Sequence, residues 1–226
     1  MKYEEIINKL NSLACPEIVN DMARFGISPK NTLGVSITNL KKMAKETGID
    51  HDLALRLWDS KIHEARILAS LIDDPEIVTE EQMEKWAKDI DSWDVCDLCC
   101  GNLFDKTRYA YKKAVEWSFR EEEFVKRAGF VLMAILAVHD KKAEDKKFQK
   151  FFPLIIREAT DNRNYVKKGV NWALRQIGKR NLNLNKEAIK TADKIETVES
   201  KAAKWIASDA IRELRSDPVQ KRLRKG

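Results

Sequence analysis

The stretch Ser92-Trp93-Asp94-Val95-Cys96-Asp97 places an indole and a carboxylate four residues apart, near the middle of the chain. On a helix, positions i and i+4 share a face, so Trp93 and Asp97 stand one above the other. Asp94 points about a quarter turn away. An aromatic plane beside a carboxylate suits a site that holds a flat or cationic group. The same spacing also suits a buried tryptophan flanked by solvated acids, with Asp94 at the solvated start of the helix. The context elsewhere in the chain separates the two readings.

That context is a set of basic stripes. Within 165–179, Val166, Val170, Ala173 and Ile177 recur as an apolar stripe. Lys168, Trp172, Arg175 and Lys179 recur beside it at i, i+4, i+7 and i+11. Lys201, Trp205, Ser208, Arg212 and Arg215 repeat the idea further on, and Arg127 opens the charge-free run Ala128 to Val138. For a single helix, such a stripe reads as a solvated Lys/Arg face. Recurrence at matching places in stacked helices favours another reading. Cations aligned on one wall track a phosphate backbone, and Trp planes among them meet sugars or bases.

The elements that must position these residues read as helices throughout. Ala, Leu, Ile, Lys and Glu dominate the composition, and 8 Gly and 5 Pro supply little turn material. Two short helices fill residues 2–25, broken at Cys15-Pro16 and stopped at Gly26, and a loop follows through Gly34. Helices are expected over 36–45, 51–59, 61–73, 80–89 and from Trp93. Further helices are expected over 107–119, 121–138, 148–160, 165–179, 186–195 and 201–215. The basic stretch from about 217 to 226 is expected to fray, and no segment shows the alternation of a strand.

The chain has 226 residues, enough for a sizeable core or a short repeat array forming a single domain over 1–226. Charged residues make up 35% and hydrophobic residues 43%, the balance of a charge-rich globular protein. The net charge of +6 is compatible with a polyanionic partner. No apolar run approaches the roughly 20 residues of a membrane span, and the amphipathic start is unlike a signal peptide. Cys96, Cys99 and Cys100 crowd one helix with Cys15 far away, which suits a reducing, cytoplasmic setting and no disulfide framework. Cys96-x-x-Cys99 is half of a zinc pattern, but no second Cys or His pair has matching spacing. These thiols read as small buried hydrophobes, and no metal or other cofactor is expected.

The helix pairs resemble one another. Taking Arg66, Arg127, Lys168 and Lys204 as equivalent anchors gives separations of 61, 41 and 36 residues, and Asp97 splits the first into 31 and 30. Helix pairs at periods of roughly 30–45 residues are the signature of HEAT-like solenoids. The expected fold is therefore an all-α solenoid of HEAT-like antiparallel helix pairs with a concave basic groove.

Particular motifs narrow this further. Leu33-Gly34-Val35-Ser36, His63-Glu64-Ala65-Arg66-Ile67-Leu68-Ala69 and Ser92-Trp93-Asp94-Val95-Cys96-Asp97 resemble the AlkD-like DNA alkylation repair proteins, which are HEAT-repeat DNA glycosylases. Phe124-Val125-Lys126-Arg127-Ala128 and Asn171-Trp172-Ala173-Leu174-Arg175 strengthen the resemblance, which covers nearly the whole chain. In that family a Trp and an Asp four residues apart, a later Arg and a later Trp line the cleft. The resemblance puts these roles on Trp93, Asp97, Arg127 and Trp172. The continuation Cys99-Cys100-Gly101-Asn102 marks a distinct subgroup.

The resemblance implies cleavage of the N-glycosidic bond of N3- or N7-alkylated purines in duplex DNA by a monomeric protein without a cofactor. Asp97 would stabilise an oxocarbenium-like sugar, with Trp93 and Trp172 as walls. Arg127, Lys168, Arg175, Lys179, Arg66, Lys204 and Arg212 would hold phosphates. The competing readings are a non-catalytic scaffold for proteins and a module that binds distorted or damaged DNA without cutting it.

Overall fold

The computed structural model describes residues 1–225, and no strand occurs among them. The chain condenses into two compact units, Met1–Arg108 and Tyr109–Gly226. The first carries α1 (Tyr3–Ser12), α2 (Pro16–Arg24), α3 (Ile37–Thr47), α4 (His51–Asp59), α5 (His63–Ile72), α6 (Glu80–Asp89) and α7 (Trp93–Asn102), followed by a 3-10 turn at Phe104–Lys106. The second carries α8 (Ala110–Trp117), α9 (Glu123–His139), α10 (Asp145–Gln149), α11 (Phe152–Glu158), α12 (Asn164–Gly178), α13 (Leu182–Glu196), α14 (Lys201–Leu214) and α15 (Asp217–Leu223).

Local chemistry explains most boundaries. Pro16 opens α2, where its missing N–H costs nothing. Ser36, Asp50 and Thr79 accept from the backbone N–H three residues on and cap α3, α4 and α6. Four of the departures from the sequence-based expectation have local causes. Residues 148–160 hold two helices rather than one, because Pro153 sits in the first turn of α11 and cannot continue the ladder of α10. Lys61 takes a left-handed φ of 59°, so α5 starts only at His63. Asn181 caps α13 through the amide of Leu184, which moves its start from 186 to Leu182. The expected fraying of the tail gives way to α15, whose Val219 and Leu223 are buried.

Each unit buries its own core. In the first, Trp58 and Trp86 stack with centroids 4.0 Å apart and planes 2° from parallel. Trp58 donates to Asp89 Oδ2 at 3.1 Å, so the polar end of the indole is satisfied. In the second, the apolar α9 packs against both α8 and α12. Gly129 permits the α8 contact: a Cβ there would lie 2.7 Å from the Ser118 nitrogen.

The repeat is written in the polar contacts. Within the first unit, Glu64 reaches Leu33, Trp58 reaches Asp89 and His63 reaches Asp94, each across 31 residues. Within the second, Arg127 reaches Tyr165, Gln149 reaches Glu187, Asn171 reaches Asp209 and Arg175 reaches Glu213, each across 38 residues. Equivalent positions of successive helix pairs are joined in one register, as in stacked repeats. The wider period of the second unit accommodates longer helices, with α9, α12, α13 and α14 each spanning 14–17 residues.

Candidate functional site

Trp93 and Asp97 occupy the first two turns of α7 and are both half-buried. They line one cleft of about 440 Å³ within the first unit. Ile18 and Met22 of α2, Ile37 of α3, Ile67 of α5 and Leu98 of α7 make much of its wall apolar. The Trp93 indole is fixed by a hydrogen bond from Nε1 to the Phe25 carbonyl at 3.1 Å. A carboxylate and an aromatic ring thus meet a water-poor wall, where charge interactions are stronger than in bulk solvent.

Asp94 departs from the expectation of a solvated helix start. Only 15% of its side chain is exposed, and Oδ2 lies 2.9 Å from His63 Nε2. Burial alone would raise the Asp94 carboxyl, but the His63 hydrogen bond and charge hold it below the usual range. Burial would likewise lower His63, and the Asp94 contact and charge, with Glu64 and Asp91 nearby, raise it. Both members of the pair line the same cleft as Asp97. His63 went unassigned in the sequence, although its distance to Asp94 equals the repeat.

Glu64 also lines this cleft. Its buried carboxylate accepts from the backbone N–H groups of Leu33, Gly34 and Val35, the shortest at 2.6 Å to Gly34. Gly34 has φ +78°, and a Cβ there would sit 2.4 Å from the Cys15 carbonyl. Only glycine fits a left-handed turn pressed so closely against backbone. The motifs Leu33-Gly34-Val35 and His63-Glu64 are therefore two halves of one anchor.

Arg66 of α5 is largely enclosed. It is 7% exposed, donates to the Asp89 carbonyl at 2.9 Å and stacks over Trp58 at 5.2 Å. Its guanidinium also lies 3.6 Å from the Asp91 carboxylate. Cys96, Cys99 and Cys100 are buried, and burial pushes the thiols of Cys99 and Cys100 well up. Among the described residues, no group of three or more His, Cys, Asp or Glu is placed to hold a metal ion.

In the second unit the basic stripe divides. Lys168 of α12 and Lys204 of α14 are exposed and have no carboxylate partner among the described residues. Trp172 is half-exposed on the same helix as Lys168. Arg175 and Lys179, in contrast, share the carboxylate of Glu213, with Lys179 Nζ at 2.5 Å from Oε1. Burial would raise Glu213, yet these two cations hold it below the ordinary carboxylate value. Arg212 pairs with Asp209, which also accepts from Asn171 at 2.7 Å. Asp209 and Glu213 are i and i+4 on α14, and that spacing was the available sign of a neutralising acidic face. Arg127 is 5% exposed and donates to the Tyr165 carbonyl at 2.7 Å, tying α9 to α12. Lys167 lies 4.9 Å from the ring centre of Trp205, which is 40% exposed.

No helix among the described residues is long and apolar enough to cross a membrane. A comparison with curated proteins found no match. Among solved structures, the chain is similar to one described as "A new family of proteins related to the HEAT-like repeat DNA glycosylases with affinity for branched DNA structures". The two share 18% identity and a TM-score of 0.79, over 94% of this chain and 95% of that one. This likeness establishes a common HEAT-like fold. The sequence profile of the family described as "DNA alkylation repair enzyme" matches residues 6–214, and the chain belongs to that family.

Proposed function

We propose that the protein is a DNA glycosylase that excises N3- or N7-alkylated purines from duplex DNA. The carrying observation is the position of Asp97, a carboxylate lining a largely apolar cleft beside the indole of Trp93. Alkylation at these nitrogens gives the base a positive charge and makes it a good leaving group. The C1′–N bond breaks with its electron pair passing to the base, which departs neutral. The sugar left behind has oxocarbenium character. An ionised Asp97 stabilises that cation through space and accepts a hydrogen bond from the attacking water. Water adds its oxygen to C1′ and loses a proton, leaving an abasic site.

Trp93 and Trp172 each offer an aromatic face to a cation, sugar or base. Arg127 is the cation that the family motif assigns to a phosphate. Lys168 and Lys204 are the better phosphate contacts of the second unit, because their charge is not already met by a carboxylate. Arg175, Lys179 and Arg212 contribute less, each being ion-paired.

A second reading is a DNA-binding protein that recognises distorted or branched DNA without excising a base. It is favoured by the affinity for branched DNA ascribed to the similar structure. Incubation with methylated duplex DNA distinguishes the two. Release of free 7-methylguanine with matching abasic sites supports the glycosylase. Tight binding of a four-way junction with no base released supports the second reading.

A further inference from the structure

A second cleft, of about 380 Å³, lies in the second unit where α9 and α12 end. Lys141, Asp145, Lys179, Arg180, Asn181 and Arg222 line it. An adjoining hollow of about 560 Å³ shares Lys179, Arg180, Asn181 and Arg222. Four cations therefore face a single acid.

The manner in which these cations are held sets them apart from the α12–α14 stripe. Arg180 donates from Nη1 to the Ala137 carbonyl at 3.0 Å and from Nη2 to the Ala143 carbonyl at 2.8 Å. Its guanidinium also lies 4.5 Å from the ring centre of Phe148. Arg222 donates to the Lys179 carbonyl at 2.6 Å. Lys141 is exposed and has no carboxylate partner among the described residues. Lys179 alone is ion-paired, to Glu213. Asp145 accepts from the side-chain amides of Asn181 at 2.7 Å and Asn183 at 2.8 Å, and forms no ion pair with any of the four cations.

Carbonyl partners orient a guanidinium without cancelling its charge. Capping the ends of α9 and α12 is one role for Arg180 and Arg222. It occupies at most two of the five donors on each fork, leaving others for an oxyanion. We propose that this cleft is a phosphate-binding site and that its ligand is a backbone phosphodiester of DNA. The positive surface continues onto α15 through exposed Lys221 and Arg224, which suits successive phosphates of a polymer. The proposal rests on reading the chain as a DNA-binding protein, but not on base excision.

The test compares Lys141→Gln/Arg222→Gln with Lys190→Gln/Lys194→Gln, which removes equal charge from exposed positions of α13. Gln at 222 keeps a donor for the Lys179 carbonyl. Binding of undamaged duplex DNA is measured by fluorescence anisotropy over a range of salt. The cleft variant is expected to flatten the slope of log affinity against log salt by roughly 1–2, with the α13 variant close to wild type. In parallel, inorganic phosphate is titrated into the wild-type protein while amide and Arg Nε–H signals of residues 178–182 are followed by NMR. Shifts there, lost in the cleft variant and accompanied by the flattened slope, support the proposal. Phosphate-induced shifts with an unchanged slope overturn the DNA assignment and leave a site for a small phosphate ester. Neither effect overturns the site altogether. If the double variant fails to fold by circular dichroism, Lys141→Gln alone is expected to show about half the slope change. None of these readouts involves base release, so failure of the glycosylase reading would be seen separately.

Discussion

His63 and Asp94, 31 residues apart, meet inside the first unit with Nε2 2.9 Å from Oδ2. Their side chains are 6% and 15% exposed, so the two groups meet in a place water reaches poorly. His63 is raised above 6.5 and Asp94 is lowered below 3.8. A raised His contributes stability that is fully present below its unfolded value and is lost as pH rises through the folded one. A lowered Asp contributes stability that is present above its unfolded value and is lost as pH falls through the folded one.

The pair is therefore expected to stabilise the fold most at about pH 5–6. His63→Gln should cost about 1–3 kcal/mol there, because it leaves Asp94 buried without its partner. The gap to wild type should narrow as pH rises past the folded-state value of His63. Urea unfolding midpoints at mildly acidic and alkaline pH measure this. A gap that widens with pH would contradict the assigned ionic pair.

Glu64→Gln should loosen the 33–35 turn. The carboxylate accepts from three successive amides, and a Gln side chain has one oxygen and a misdirected NH2 in its place. A loss of about 1–3 kcal/mol is expected. Hydrogen exchange at Gly34 should quicken more than at Leu40 in the core of α3. Unchanged exchange at Gly34 would show that the turn does not depend on Glu64.

The two ends of the predicted basic stripe should behave differently. Lys168→Gln removes an unpaired cation and should flatten the salt dependence of DNA binding by roughly 0.9. Arg175→Gln removes a cation whose charge Glu213 already meets, so its effect should be clearly smaller. Anisotropy titrations of both variants decide the point. Equal changes would mean that Arg175 leaves Glu213 when DNA binds.

Much of this was legible in the residues, and the gaps have physical causes. Breakers act locally, so Pro16 and Gly26 mark the ends of α2 without any knowledge of the fold. The apolar stripe of α12 follows from helical spacing, and Val166, Val170, Ala173 and Ile177 are all buried. Pairing across repeats is not local. Glu213 neutralises Arg175 and Lys179 from 38 and 34 residues away, and Asp89 draws Arg66 inward through its backbone carbonyl. A cation in a stripe shows its charge but not its partner. For the same reason Asp94, one position from Trp93, read as solvated until α5 brought His63 against it.

Asp97 carries the proposed chemistry. With duplex DNA carrying 7-methylguanine, single-turnover release of free base is measured for wild type and for Asp97→Asn, with DNA affinity measured alongside. Asn preserves shape but removes the charge that faces the developing sugar cation. Release by Asp97→Asn is expected to be about 100–1,000-fold slower than wild type, with DNA affinity retained or tightened. Release at the wild-type rate would contradict the proposed carboxylate mechanism.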